Sequence, residues 1–220
     1  MINLHTHSLF SDGILLPSEL VSQAKEKGYQ IIAITDHADS SNLDFIIPRI
    51  AKVSQELSLY FEVEVIPGIE ITHAPPLLIP NLVKESRNLG AKIVLVHGET
   101  ICEPVTKGTN WAALNCDIDI LAHPGLITEE EVKLARKNKI ALEITTRLNH
   151  ATCNGYLANL ARKIGARLVI NSDAHTDQDM LGYTRTCQIA KGAGLSEEEI
   201  KEAFNNGQEI AKKIREKERR

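Results

Sequence analysis

Short apolar runs without a polar face alternate along this chain with longer stretches of helical period. Residues 2–4, 31–34, 64–69, 92–96, 118–122, 141–145 and 168–170 form seven such runs. Runs of this kind read as strands buried on both faces. Between them, residues 17–27 predict a helix with Pro17 in its first turn, Gly28 as its stop, and Leu20, Val21 and Ala24 on one face. Residues 43–59 place Ile46, Ile50, Val53 and Leu57 at helical spacing, and residues 81–89 close on Gly90. Further helices are expected over 110–114, from a capping box at Thr128 and Glu131, over 151–164 with Gly165 as the stop, over 186–193, and from Ser196 and Glu199 into the C-terminal tail with a break at Gly207. Residues 73–80, with three prolines, and 99–108, without period, read as loops.

Strand–helix alternation with strands apolar on both faces predicts a parallel sheet covered by helices. Seven strands and no Gly-x-Gly-x-x-Gly turn favour a closed α/β barrel of the TIM-barrel kind over an open dinucleotide-binding sheet, in one domain spanning 1–220. The chemistry of such a barrel gathers at the C-terminal ends of its strands.

Composition narrows the class only a little. With 43% hydrophobic and 25% charged residues the chain is ordinary for a soluble protein. No run is long enough to cross a bilayer, and no basic leader precedes the first strand, so a cytoplasmic protein is expected. Cys102, Cys116, Cys153 and Cys187 lack C-x-x-C spacing and read as reduced, mostly buried thiols. The net charge is -4, yet the last ten residues hold six Lys/Arg and two Glu, so the body is acidic. An acidic body argues against a long nucleic-acid partner. The basic tail reads as a solvated helix end.

The residues at the strand ends carry the functional signal: His5 and His7, His37, Glu70, His97, His123, Arg147, then Asp173 and His175. From His7 onward their separations are 30, 33, 27, 26, 24 and 26 residues, each about one strand–helix unit. Six of the eight histidines therefore converge with two acids on one rim. Core packing has no reason to set an imidazole after strand upon strand. So many imidazoles together call for cations between them, and a carboxylate such as Glu70 or Asp173 can bridge two. Nitrogen and oxygen donors without thiolate suit Zn, Mn or Fe, and the number of donors suits two or three ions.

The pieces His5-Thr6-His7, Ser11-Asp12-Gly13, Thr35-Asp36-His37, Gly68-Ile69-Glu70, His97, Ala122-His123-Pro124-Gly125 and Ser172-Asp173-Ala174-His175 run in order over nearly the whole chain. In these the sequence resembles the polymerase and histidinol phosphatase (PHP) superfamily. The resemblance implies a distorted (β/α)7 barrel with a trinuclear metal site. Carried over by motif, His5, His7, Glu70 and Asp173 would hold one metal. Glu70 would bridge to a second held by His97 and His123, and Asp12, His37 and His175 would hold a third. The family often has His where this chain has Asp12. The stretches Val96-His97-Gly98-Glu99, Gly108-Thr109-Asn110 and Glu143-Ile144-Thr145-Thr146-Arg147 look like short, stand-alone histidinol-phosphatase-like members.

The expected activity is a metal-dependent phosphoesterase. A hydroxide shared between metals would attack a small phosphomonoester, with histidinol phosphate as one substrate, and phosphate or sulfate would fit the same site. Glu70, Asp173 and His175 are the expected catalytic groups, and Arg147 is placed to fork onto phosphate oxygens. Arg185 is a second phosphate candidate, and Glu99 and Asn110 would read the leaving group. Asp36 would orient His37 or cap a turn. His73 and His150 fall outside the ligand pattern, His150 as a helix start or surface residue. Trp111 is expected in packing. The alternatives are a phosphodiesterase or nuclease on short nucleotides, and a non-catalytic metal-binding interaction module.

Overall fold

The computed structural model describes residues 1–218. Its strands are β1 (Ile2–Asn3), β2 (Ile31–Ile34), β3 (His37–Ala38), β4 (Glu64–Ile71), β5 (Ile93–His97), β6 (Ile120–Ala122), β7 (Ala141–Thr145) and β8 (Leu168–Asn171). All pair in parallel, in the order β1-β2-β4-β5-β6-β7-β8, with β3 also on β4. β2 and β3 thus occupy a single barrel position, interrupted at Thr35 and Asp36. A bridge between Thr6 and Ala174 brings the first and last strands together. The result is a nearly closed seven-position barrel, as the alternation predicted.

Helices α1 (Pro17–Glu26), α2 (Leu43–Phe61), α3 (Ile79–Leu89), α4 (Thr109–Leu114), α5 (Glu129–Asn138), α6 (Asn154–Ile164), α7 (Tyr183–Gly192) and α8 (Glu197–Glu218) follow in chain order, with a short 3-10 turn at His150–Cys153. Two apolar cores result. Ile2, Leu4, Ile31, Ala33, Ile66, Ile93, Leu95, Ile120, Ala141 and Val169 form one, closed by Ile210, Ala211 and Ile214 of α8. The alternate strand residues, Ile32, Ile34, Val65, Val94, Leu121, Leu142 and Ile170 among them, pack with the surrounding helices. Period-two alternation therefore divides each strand between a barrel-interior face and a helix-covered face.

Several boundaries differ from the sequence pattern, three of them instructively. Helix α3 starts at Ile79, so Pro80 lies in its first turn, where a missing N–H costs nothing. Helix α7 begins at Tyr183, earlier than expected. Helix α8 runs through Gly207 without a break. A Cβ at Gly207 would stand 3.4 Å from Ile2 Cγ2, so this glycine lets the helix lie close against β1. Arg219 and Arg220 of the basic tail lie outside the described residues. No described helix is long and apolar enough to cross a membrane. The four cysteines are unpaired, but only Cys153 is buried and Cys102 is exposed, against the expectation of mostly buried thiols.

Candidate metal centre

On β5, Ile93, Leu95 and His97 share one face, and Ala141 and Glu143 share one face of β7. The first two residues of the β5 set and Ala141 belong to the inner core, so the polar members stand at its rim. On β1 the alternation is broken. Leu4 and His5 donate their backbone N–H groups to the side-chain oxygens of Asn171 and Asn3 instead of a neighbouring strand. This break lets His5 and His7 enter the same centre although Ile2 and Leu4 already face the interior. His123 and Asp173, just past β6 and β8, hold φ of 26° and 52°. Such conformations cost a non-glycine residue about 1–3 kcal/mol each and concentrate at functional sites.

All eight histidines meet at this rim. Ring contacts of 4.1 Å join His7 to His37 and to His175, and contacts of 4.4 and 4.2 Å join His123 to His97 and to His150. His73 reaches His97 at 5.0 Å. His150 is buried at the start of the 3-10 turn, not on the surface, whereas His73 is exposed in the β4–α3 loop. Among the described residues five sets of donor atoms lie close enough for one ion: His5, His7 and Glu70; His5, His123 and Asp173; His7, Asp12, His37 and His175; His97, His123 and His150; and His73, His97 and Glu103. The last two draw on residues outside the ligand pattern, and no set joins Glu70 to His97.

The hydrogen bonds fix which nitrogen of several rings is free. His5 Nδ1 lies 2.9 Å from the Glu143 carboxylate, His97 Nδ1 3.1 Å from the Gly98 carbonyl, and His175 Nδ1 3.0 Å from the Asp173 carbonyl. His37 Nδ1 lies 2.6 Å from Thr72 Oγ1, whose own hydrogen goes to the Glu70 carbonyl. Each of these oxygens only accepts, so Nδ1 of His5, His37 and His97 carries a hydrogen and, in the neutral ring, Nε2 presents the lone pair, whereas His175 Nδ1 meets both the Asp173 carbonyl, an acceptor, and the Arg147 guanidinium, a donor. The Nε2 atoms of these rings, and of His7 and His123, face carboxylates. His5 Nε2 is 3.3 Å from Glu70 and 3.6 Å from Asp173; His175 Nε2 is 3.0 Å and His37 Nε2 3.5 Å from Asp12. His7 Nε2 is 3.1 Å from Asp173, and His123 Nε2 is 3.6 Å from Glu70. Lone pair against lone pair at such distances needs a proton or a cation between. Rings in mutual contact cannot all be protonated, so divalent metals fit this donor set. Several of these buried atoms, His7 Nε2, Asp173 Oδ1 and Glu70 Oε1 among them, have no hydrogen-bond partner, while Glu70 Oε2 lies 2.8 Å from His37 Nδ1.

The electrostatics agree. Burial opposes a charge on His5, yet Glu143, Glu70 and Asp173 outweigh it and hold its pKa well above the ordinary range. Burial drives His7 and His123 well below it, reinforced by neighbouring imidazoles. Burial works against the Glu70 charge, but His5 and His37 prevail and keep it ionised. Burial, with the Glu70 carboxylate beside it, pushes Asp173 up to about 6.

Around these groups the positioning contacts are dense. Asp36 accepts from Ser8 N, Ser8 Oγ and Ser11 Oγ at 2.7–2.8 Å, pinning the turn that carries Asp12. Of the two roles expected for it, this is the turn cap. Arg147 donates to the Asp173 carbonyl at 3.0 Å, touches His175 Nδ1, and holds its Nε 3.8 Å from the Asp173 carboxylate. Glu99 and Asn110 brace their own loop: Glu99 Oε1 accepts from Gly108 N and Asn110 N, while Asn110 accepts from Glu99 N and donates to the Pro124 carbonyl. Arg185 is exposed on α7 beside Gln188, apart from the rim contacts. Trp111 is 53% exposed, not packed. Besides His73 and His150, two acids outside the sequence pattern enter the centre. Glu103 contacts His73, His97 and His150, and Glu143 is fully buried under His5. A lone carboxylate inside an apolar strand was the available signal for Glu143; Glu103 had none.

A model of the PHP domain family matches residues 3–214. An uncharacterised protein of Methanocaldococcus jannaschii is 43% identical over 215 residues, covering 96% of this chain and 99% of that protein. Ribonuclease P protein component 3 of Methanosarcina mazei is 30% identical over 224 residues, covering 94% of this chain and 86% of that protein. A probable phosphatase of Shewanella halifaxensis is 26% identical over 228 residues, covering 91% and 87% respectively. A chain in the cryo-EM structure of archaeal ribonuclease P with mature tRNA superposes with a TM-score of 0.76 at 19% identity, covering 96% of this chain and 91% of that one. At that identity the likeness is one of fold.

Proposed function

Since the chain belongs to the PHP domain family, we propose that it hydrolyses a small phosphomonoester with two or three divalent transition metals, Zn, Mn or Fe, at the strand-end rim. The observation that carries this reading is the array of imidazole lone pairs set against buried carboxylates. His5, His7, Glu70 and Asp173 would hold one metal, Glu70 with His97 and His123 a second, and Asp12, His37 and His175 a third. Bound there, the metals would supply Lewis-acid charge for phosphate oxygens and water acidified to near-neutral pKa.

The chain's own residues supply the rest. Arg147 brings a fixed positive charge to the rim beside Asp173 and binds the arriving phosphate oxygens. Glu143 holds His5 by its Nδ1 hydrogen, and Asp36 holds the turn bearing Asp12. Where the third site is unfilled, His175 Nε2, 3.0 Å from Asp12, would give the proton to the leaving oxygen as its P–O bond breaks; where that site is filled, the same nitrogen is a ligand and departure would be assisted by the metal's charge instead.

Assay of the metal-loaded chain on 4-nitrophenyl phosphate and bis(4-nitrophenyl) phosphate tests the proposal. Faster turnover of the monoester, abolished by Glu70→Ala, is the expected result. Hydrolysis of neither ester with Zn or Mn supplied would defeat it, and preference for the diester would favour a phosphodiesterase or nuclease. A second reading, a subunit of an RNA-processing assembly, draws on the likeness to ribonuclease P component 3. The net charge of -4 weighs against direct contact with an RNA backbone. A mobility shift of tRNA by the isolated chain at physiological salt would favour that reading.

A further inference from the structure

The metal sets named above leave Glu103 without a task, although it stands among three imidazoles. It sits in the loop between β5 and α4, which is closed at its base. Glu99 Oε1 accepts from Gly108 N and Asn110 N, both at 2.9 Å, and Asn110 Nδ2 donates to the Pro124 carbonyl at 3.0 Å. Braced in this way, the loop sets Glu103 Oε2 3.0 Å from His73 Nε2 and 3.2 Å from His97 Nε2, with Oε1 3.4 Å from His150 Nε2.

These contacts are of two kinds. His150 Nδ1 lies 2.9 Å from the Thr100 hydroxyl, which can donate to it and leave a hydrogen on Nε2 for Glu103. His73 Nε2 can likewise donate. Neutral His97 cannot, because its Nδ1 hydrogen is committed to the Gly98 carbonyl and its Nε2 then presents only a lone pair. A lone pair and a carboxylate oxygen 3.2 Å apart have the spacing of two ligands on one ion. Ligands at about 2.1 Å from a metal lie roughly 3.0–3.4 Å from each other. On the other side of His97, 4.4 Å away ring to ring, the buried His123 keeps an Nδ1 without a partner.

We propose that Glu103 is a further ligand of the metal held at His97, delivered by the 99–108 loop and oriented by hydrogen bonds from His73 and His150. The proposal rests on the metal-centre reading and adds to it a carboxylate from a loop rather than a strand end. It makes the β5–α4 loop a metal-ordered segment, closed over the second metal from the solvent side.

Two readouts independent of activity test this. The metal-stripped chain is titrated with Co(II) or Mn(II), beside Glu103→Gln, whose shape is conserved, and His73→Ala. In parallel, trypsin cleavage at the exposed Lys107 is followed with and without metal. Glu103→Gln is expected to bind one equivalent at least about 10-fold more weakly, with the others unchanged, and to lose the metal protection of Lys107. His73→Ala should weaken the same equivalent by less. If the wild type takes up metal and Glu103→Gln matches it at every equivalent, the proposal is overturned, and Glu103 instead pairs with a protonated His97. If the wild type takes up none, the metal-centre reading fails as well, so the two failures are distinct.

Discussion

Replacing Glu143 with Gln isolates the contribution of one buried charge. Glu143 Oε1 accepts from His5 Nδ1 at 2.9 Å and from Asn171 Nδ2 at 2.8 Å, while Oε2 accepts from His123 N at 3.2 Å. A glutamine can keep the first two bonds, but its NH2 then faces the His123 N–H. That leaves a buried donor unpaired, a loss of about 1–3 kcal/mol. The same change removes a carboxylate that raises the basicity of His5, which weakens proton binding there and metal binding more, since a dication carries twice the charge. Loss of a partner behind a metal-bound imidazole costs about 10–100-fold in metal affinity. Urea unfolding in the presence of chelator reads the first effect. Competition with a chromogenic chelator at pH 8, where protons compete least, reads the second. Wild-type metal affinity in a folded Glu143→Gln variant would refute the view that Glu143 supports the centre through His5.

Arg147→Ala should leave metal content unchanged and reduce kcat/KM for a monoester about 10–100-fold, mostly through KM, as expected for the loss of a charged hydrogen bond; inorganic phosphate should lose potency as an inhibitor in parallel. Metal affinity should rise with pH. The carboxylates around His5 outweigh its burial and keep a proton on it at neutral pH, and Asp173, raised by burial to about 6, holds one below that. Metal must displace these protons, so Mn(II) binding should tighten by about tenfold per pH unit for each proton released, measured between pH 6 and 8. In the metal-free chain the sign for Asp173 is the reverse of the usual carboxylate. Its folded pKa exceeds its unfolded value, so its contribution to stability is gained as pH falls through about 6 and lost above it. Thermal unfolding in chelator should therefore show Asp173→Asn stabilising the protein more at pH 7.5 than at pH 5.

What could be read from the sequence was periodic. Apolar runs such as Ile31–Ile34 and the recurrence of a ligand type once per strand–helix unit follow from a parallel barrel, and both survive in the structure. Residues whose place depends on loop closure could not be read. Glu103 and His73 meet only because the β5–α4 and β4–α3 loops fold over the same rim, and His150 is carried there by a 3-10 turn. Pro80 and Gly207 misled for a related reason. Proline suits a first helical turn as well as a loop, and glycine suits a close helix contact as well as a break. The break just past β1, which turns His5 and His7 into the centre, depends on Asn171 of β8 as well as on the nearby Asn3, and the distant half of that pair cannot be read locally.

The most direct measurement is anomalous scattering at the Zn and Mn edges from crystals of chain supplied with each metal. Two or three peaks among Glu70, Asp173 and the surrounding imidazoles, with His5 Nε2 toward one of them, are expected. A fully ordered rim with no peak, its lone pairs bridged by protons and water alone, would contradict the metal centre on which the rest depends.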